Sequence, residues 1–311
     1  MNDLEFEFIL TDRIAKIISI NELYDLENNS YIAFSGGKDS CVVSALIDLA
    51  LPNNKIPRVY ANTGIEYVKM VQFVKSLASN DERIIILKQT RNIKRTLGEY
   101  GYPFKSKEHS LRVEQFNNGY LSQYIKNYID YNEPKGYKCP KKLLYQFDKN
   151  LHLNYSNKCC YKLKKDLMNS WIKLSNKKIN ITGMMQSEGG NRKNLTCITN
   201  KGKSFHPIII CTDEWEEEFI KRYNIKLCEL YYPPYNFKRT GCKGCPFNMK
   251  IQKDLETLYK LLPSEYYQCL HLWKPVYDEY IRIGYRLKQY PHLMKGSDEK
   301  WLMLEWMQQK I

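Results

Sequence analysis

Apolar residues recur at helical spacing across Phe6–Leu26 (Phe8, Ile9, Ile14, Ile17, Ile18), which predicts one or two helices at the start of the chain. Tyr31–Phe34 is a short apolar run of strand type. Cys41–Leu51 returns to the helical period until Pro52, Asn53 and Asn54 stop it. Arg58–Asn62 predicts a second strand, Glu66–Ala78 a helix with Tyr67, Met70, Phe73, Val74 and Leu77 on one face, and Arg83–Lys88 a third strand. Strands alternating with helices in this way build a parallel sheet joined by crossover helices. Leu163–Leu174 reads as a further helix, and Lys178–Gly183 and Phe205–Ile210 as further strands. Glu214–Tyr223 reads as a helix opened either by an Asp213/Glu216 capping box or by Thr212.

Tyr100–Lys158 breaks the alternation. Rich in Tyr, Asn and Lys, with turn signals at Pro103, Gly119, Pro134 and Pro140, it reads as an irregular helical insertion over the carboxyl edge of the sheet. Lys105, Ser106, Lys107 and His109 fall there in an expected loop, where solvated charge is the commoner outcome and contact with an anion the sharper one. From Tyr231 the chain carries a proline pair, a cysteine cluster and then helices to its end. The expected fold class is α/β: a twisted parallel sheet with helices on both faces, plus a helical C-terminal region. The expected organisation is a helical segment over 1–28, a domain over 29–224 with its insertion at about 100–158, and a C-terminal region over 225–311.

Composition narrows the class. In 311 residues, 43% hydrophobic and 13% aromatic, the chain is globular, and no apolar run is long enough for a bilayer, so no membrane partner is expected. The acidic start MNDLEFEF lacks the basic and apolar regions of a secretory signal. A cytoplasmic protein follows, with ten reduced cysteines better suited to metal binding or catalysis than to disulfides. A net charge of +14 and a pI near 9.1 fit a polyanionic partner and equally a chain with lysine scattered throughout.

The candidate chemistry begins at YIAFSGGKDSCVV, where a strand runs through SGGKDS into a helix. A helix start presents unpaired N–H groups and favours negative charge, so phosphate is the natural guest. Gly36 and Gly37 allow close backbone approach, Lys38 adds a charge, and the Ser35 and Ser40 hydroxyls can donate. A Walker A loop needs GxxxxGK[ST], which this segment does not supply. SGGKDS after a strand resembles the PP-loop of the ATP pyrophosphatases, which cleave ATP between its α and β phosphates. That resemblance implies a Rossmann-like sheet and a pyrophosphate cradle of Ser35, Gly36, Gly37, Lys38, Asp39 and Ser40.

Further on, Asn62-Thr63-Gly64 with Glu66 resembles the DTGxE segment of the phosphoadenylyl-sulfate (PAPS) reductase branch, with Asn62 in place of the acid. GMMQSEGGNR resembles that branch's GxRxxESxxR. Gly183, Glu188 and Arg192 match it, while Met185 stands for the arginine and Gly189 for the serine. Arg192 keeps a guanidinium able to grip phosphate or sulfate in a fork. The resemblance implies adenine nucleotide contacts at these positions, with Lys38, Asp39 and Arg192 as the candidate catalytic residues.

Adjacent Cys159 and Cys160, with Cys242 and Cys245 in CKGC, form the second constellation. A zinc ribbon presents two CxxC knuckles, and only one exists here. Adjacent cysteines point apart and reach two irons of a cube more readily than two corners of one zinc. The CC/CxxC set resembles the 4Fe-4S site of assimilatory adenylyl-sulfate reductases and DNA phosphorothioation sulfurtransferases, which implies a cluster on these four thiolates. Lys158, Lys162, Lys164, Lys165, Arg239 and Lys243 lie near them in sequence. Cys41, Cys197, Cys211 and Cys228 read as buried and inert, and Cys139 stays unassigned. The reductases of the family attack sulfur from an ECG[LI]H segment, absent here. Its nearest approach, QCLH, places Cys269 in a helical pattern that favours a packed core thiol.

An intact SGGKDS with these cysteines implies ATP, Mg²⁺ and a 4Fe-4S cluster, with ATP split to AMP and pyrophosphate to activate an acceptor for sulfur transfer. Nucleic acid is a candidate acceptor, and a sulfur- or electron-donor protein a candidate partner. Adenylyl-sulfate or PAPS reduction is the alternative. A third reading is a non-catalytic nucleotide- or nucleic-acid-binding module with a structural metal site.

Overall fold

The computed structural model describes residues 1–133, 136–148 and 150–293. The turn expected at Pro134 and any helix beyond residue 293 lie outside the described residues. In chain order the elements begin with α1 (Asp3–Tyr24), α2 (Leu26–Asn29), β1 (Ser30–Ala33), α3 (Lys38–Ala50), β2 (Arg58–Asn62), α4 (Val68–Ala78) and β3 (Ile84–Lys88). The helices α5 (Ile93–Tyr100), α6 (Lys107–Asn117), α7 (Gln123–Ile129), α8 (Lys158–Cys160) and α9 (Asp166–Ser175) follow. Then come β4 (Ile179–Ile181), β5 (Ile198–Thr199), β6 (Ser204–Phe205), α10 (Asp213–Arg222), α11 (Ile251–Leu261) and α12 (Pro263–Arg282).

The chain divides into two compact units. One joins Met1–Gln89 to Asp166–Thr240; the other joins Thr90–Lys165 to the chain from Gly241 onward. The segment expected as an insertion thus shares a unit with the cysteine knuckle.

The first unit holds a six-stranded sheet in the order β3-β2-β1-β4-β6-β5, parallel except for β5 against β6. Parallel pairing sets Ile32 beside Arg58 on one side and beside Ile181 on the other. Strand order reverses between β1 and β4, and in open α/β sheets such a switch point opens a crevice at the carboxyl ends of the strands. Ile32, Ile179 and Ile181 pack with α1, α3 and α10 in one buried core, while Tyr31 turns to the other face and meets Trp171 of α9 edge-on at 5.4 Å. The α/β fold with helices on both faces is therefore the observed one.

Two local expectations are corrected, and the open choice of cap for α10 is decided. Helix α1 buries Phe6, Leu10, Arg13, Ile17 and Ile20, leaving Phe8 and Ile18 exposed, because Phe6 stacks on Trp215 and sets the rotation of the helix. The strand expected over 205–210 ends at Phe205 and turns, and its neighbour Ile198–Thr199 returns antiparallel. Of the two caps open to α10, Thr212 is the one used: it accepts from the Trp215 N–H at 3.3 Å, and Glu216 faces Lys38 instead of closing a capping box.

In the second unit α11 and α12 pack together, and the expected loop around residue 105 is instead a buried network. Lys105 donates to the Tyr128 hydroxyl at 3.0 Å, and Ser106 caps α6 by accepting from the His109 N–H. The His109 ring lies 2.9 Å from the same hydroxyl and 2.7 Å from Gln146 Oε1. Burial, which outweighs the Gln146 bond, lowers its pKa to about 4.

Candidate functional site

The Ser35–Ser40 loop leaves β1 at the switch point and ties itself. The Ser35 N–H donates to Ser40 Oγ at 3.2 Å, the Gly37 N–H to Ser35 Oγ at 3.3 Å, and the Ser40 hydroxyl to the Gly37 carbonyl at 2.9 Å. Gly36 sits at φ +71°, and a Cβ there would lie 2.6 Å from Met70 Sδ, so the turn requires glycine. Helix α3 then starts at Lys38, giving the loop the N–H groups of a first helical turn. The Tyr231 hydroxyl, which contacts Thr240 Oγ1 at 2.6 Å, lies against this turn and accepts from the Lys38 amide.

The other candidate nucleotide residues surround the same sheet edge in two groups. At the end of β2 the Glu66 carboxylate accepts from the Thr63 N–H, the Thr63 hydroxyl and the Gly64 N–H at 2.7–3.0 Å, while Asn62 Oδ1 also accepts from Gly64. These four residues close a turn on themselves. After β4, Gly183 packs directly on α3: a Cβ there would stand 2.8 Å from the Asp39 carbonyl oxygen and Cβ. The β4 loop and the first turn of α3 are thereby brought together.

Glu188 binds Arg192 through one oxygen and Arg239 through the other. Arg192 also senses Asp39, while burial and Arg239 lower its pKa. Arg239, grouped with the cysteines on sequence position, belongs instead to this paired-guanidinium cluster. Met185, at the position of the missing arginine, is buried in the core. The residue sequence reasoning missed most completely is Glu216. Its Oε2 lies 3.5 Å from Lys38 Nζ, and burial followed by Asp39 raises its carboxyl to about 7 against the opposing pull of Lys38.

All four candidate metal-ligating cysteines fall in the second unit. Cys159 and Cys160 lie on α8, which continues as a π-helical turn over Tyr161–Lys165. Burial raises the Cys159 thiol strongly, with Cys160 and Cys242 adding to the effect. Burial also lifts Cys245 to about 12, helped by Cys160 and Cys159 and opposed by the Phe247 amide and Lys107. The four thiols therefore share one electrostatic neighbourhood. Among the described residues no three His, Cys, Asp or Glu side chains are grouped to hold a single metal ion.

The knuckle rests on α12. Trp273 Nε1 donates to the Lys243 carbonyl at 3.1 Å, the Tyr277 hydroxyl to the Gly244 carbonyl, and the Tyr280 hydroxyl to the Pro246 carbonyl at 2.8 Å. Gly244, at φ +62°, lies so close to Cys269 that a Cβ would stand 2.6 Å from its sulfur. Cys269 is fully buried and its thiol pushed up to about 12 by that burial, the state of a packed core residue. Lys243 is buried too, donating to Gln268 at 2.6 Å and Glu265 at 3.2 Å, and Lys158 pairs with Glu114.

A family model, the phosphoadenosine phosphosulfate reductase domain, matches residues 29–130 and 118–248. The chain belongs to the PAPS reductase family. Its match spans both the glycine loop and the CxxC knuckle. No curated protein matched. Among solved structures, PAPS reductase from Candida auris is 11% identical over 78% of this chain and 96% of its own, with a TM-score of 0.43. The NH3-dependent NAD synthetase from Campylobacter jejuni is 16% identical over 89% of this chain and 95% of its own (TM-score 0.40). A U34-tRNA thiolase from Methanococcus maripaludis, with its 4Fe-4S cluster, is 14% identical over 94% and 86% (TM-score 0.38). This PAPS reductase-family chain has no described helix long and apolar enough to cross a membrane.

Proposed function

We propose that this protein binds ATP on the Ser35–Ser40 loop, splits it to AMP and pyrophosphate, and so activates an acceptor for sulfur transfer. The observation that carries the reading is the SGGKDS turn at the switch point of the sheet, with Gly36 in its left-handed conformation and Lys38 opening α3. The acceptor oxygen attacks the α-phosphorus, the bond to the bridging oxygen breaks, and pyrophosphate leaves carrying the electron pair. The Lys38 ammonium and the first-turn amides of Asp39 and Ser40 meet that departing charge, as preorganised donors do in a site of this kind. Arg192 and Arg239, held by Glu188, supply a second positive pole for the nucleotide or acceptor anion. Mg²⁺ arrives with the nucleotide.

Cys159, Cys160, Cys242 and Cys245 suit a 4Fe-4S cluster: four thiols, an amide donor from Phe247 at Cys245, and Lys107 nearby to offset negative charge. When bound, such a cluster supplies a site for holding or passing on sulfur. A nucleic-acid acceptor agrees with the net charge of +14. The ten cysteines are all unbridged, in keeping with a reducing, cytoplasmic setting. Reduction of adenylyl sulfate or PAPS is the second reading, favoured by the family itself. The buried Cys269 argues against it as the attacking thiol.

The test is pyrophosphate release from ATP, with RNA, DNA and small acceptors offered in turn, on protein purified without oxygen and assayed for iron. Release with stoichiometric iron supports the proposal. Turnover of adenylyl sulfate but never of ATP moves the assignment to the reductase.

A further inference from the structure

Glu216 sits where α10 packs on the first turn of α3, about 1% exposed. One oxygen faces Lys38 at 3.5 Å; the other, Oε1, is buried with no hydrogen-bond partner. Keeping a carboxylate ionised with one oxygen unsatisfied in such a place is costly. Among the described groups around it, Lys38 is the one that opposes this cost. From α3 come Lys38 and Asp39, with the Cys41 thiol also within its field; from its own helix comes Asp213, and from the preceding segment the Cys211 thiol. Arg13 of α1 is engaged by Asp12 and the Pro207 carbonyl, and Arg222 at the far end of α10 by Asp3, Glu7 and Glu218. Among these groups Lys38 is the cation that holds Glu216 ionised.

Resting on the nucleotide reading above, we propose that Glu216 is a positioning residue for Lys38: it restrains the ammonium before nucleotide binds, and takes a proton from solvent when the phosphates draw the ammonium away. The geometry makes the two events one. Phosphates entering the loop compete for Lys38, and once the ion pair opens, Glu216 keeps a buried charge beside Asp39 with no counterion. Added negative charge and lost positive charge both drive the carboxyl to its neutral form. With its carboxyl already near 7 in the free protein, binding consumes up to one proton on the alkaline side and none on the acid side. Affinity for ATP then falls by up to about tenfold per pH unit above neutrality.

Titration calorimetry with ATP, on the full chain and on Glu216→Gln, in two buffers of different ionisation heat at about pH 6 and about pH 8, reads the protons directly. The nucleotide's own titration is common to both proteins. The wild type is expected to take up nearly one proton more than Glu216→Gln at the higher pH and no more at the lower, with a flatter affinity profile in the variant. Equal proton uptake by both, with ATP bound, overturns the role of Glu216 and leaves the nucleotide reading standing. Absence of ATP binding to either protein at both pH values overturns both. If the variant does not fold, the wild type alone decides: uptake no greater at about pH 8 than the nucleotide's own titration accounts for refutes the proposal.

Discussion

The two units solve the same problem, fixing a short loop, in opposite ways. The Ser35–Ser40 loop holds itself with its own serine hydroxyls and two glycines, and spends few outside side chains. The 242–247 loop is held from outside, its carbonyls at Lys243, Gly244 and Pro246 each taken by an aromatic donor of α12. A loop that holds its own shape and opens onto the start of a helix suits a guest that arrives and departs. A loop whose carbonyls are all tied down suits a permanent ligand set, whose geometry must not relax between turnovers.

If that contrast is right, the largest effects separate cleanly. Lys38→Ala is expected to cut pyrophosphate release by about 100-fold or more while iron per chain stays at the wild-type level. Cys245→Ser is expected to do the reverse, losing iron while ATP affinity, read by equilibrium dialysis, holds. Loss of both properties in either variant would break the comparison.

The units also differ in the sign of their response to pH. His109 in the second unit has its pKa lowered from 6.5 to about 4, so its contribution to stability is present above 6.5 and is lost as pH falls through 4. Glu216 in the first unit has its pKa raised from 4.5 to about 7, so its contribution is present below 4.5 and is lost as pH rises through 7. Each window is worth at most about 3 kcal/mol. Hydrogen exchange is expected to show α6 losing protection toward acid and α10 toward alkali, with Glu216→Gln abolishing the second trend.

Smaller effects sharpen the picture. Gly36→Ala meets Met70 and Val74 at a positive φ, and Gly244→Ala meets Cys269 and Tyr277 in the same way. Each is expected to cost about 2 kcal/mol by chemical denaturation, the first weakening ATP binding and the second iron loading. Tyr277→Phe, which leaves the Gly244 carbonyl unpaired, is expected to cost about 1 kcal/mol.

The sheet and its order of elements were legible because strand and helix periods are local, and so was the glycine loop, whose residues are contiguous. The rotation of α1 was legible only in part: Ile9, Ile14 and Ile17 meet the core, whereas Phe8 and Ile18 are exposed. Phe8 and Phe6 are equally apolar, and only the packing of Trp215, more than two hundred positions away, selects Phe6. For α10 the sequence left the cap open between an Asp213/Glu216 box and Thr212, which is the one used; that Glu216 faces Lys38 was not legible, because it depends on the packing of α10 against α3. Arg239 read as a neighbour of the cysteines by sequence position, whereas the chain folds it onto Glu188. The turn at Asn62–Glu66 was visible, but the inward direction of its hydrogen bonds was not.

The aromatic row of α12 makes helix phase a constraint on the chain's history. Trp273, Tyr277 and Tyr280 share one stripe, so gaining or losing a single residue upstream of them within that helix turns the stripe by about 100° and strips the knuckle of all three donors at once. Point changes can drift through this region one contact at a time, but insertions and deletions cannot.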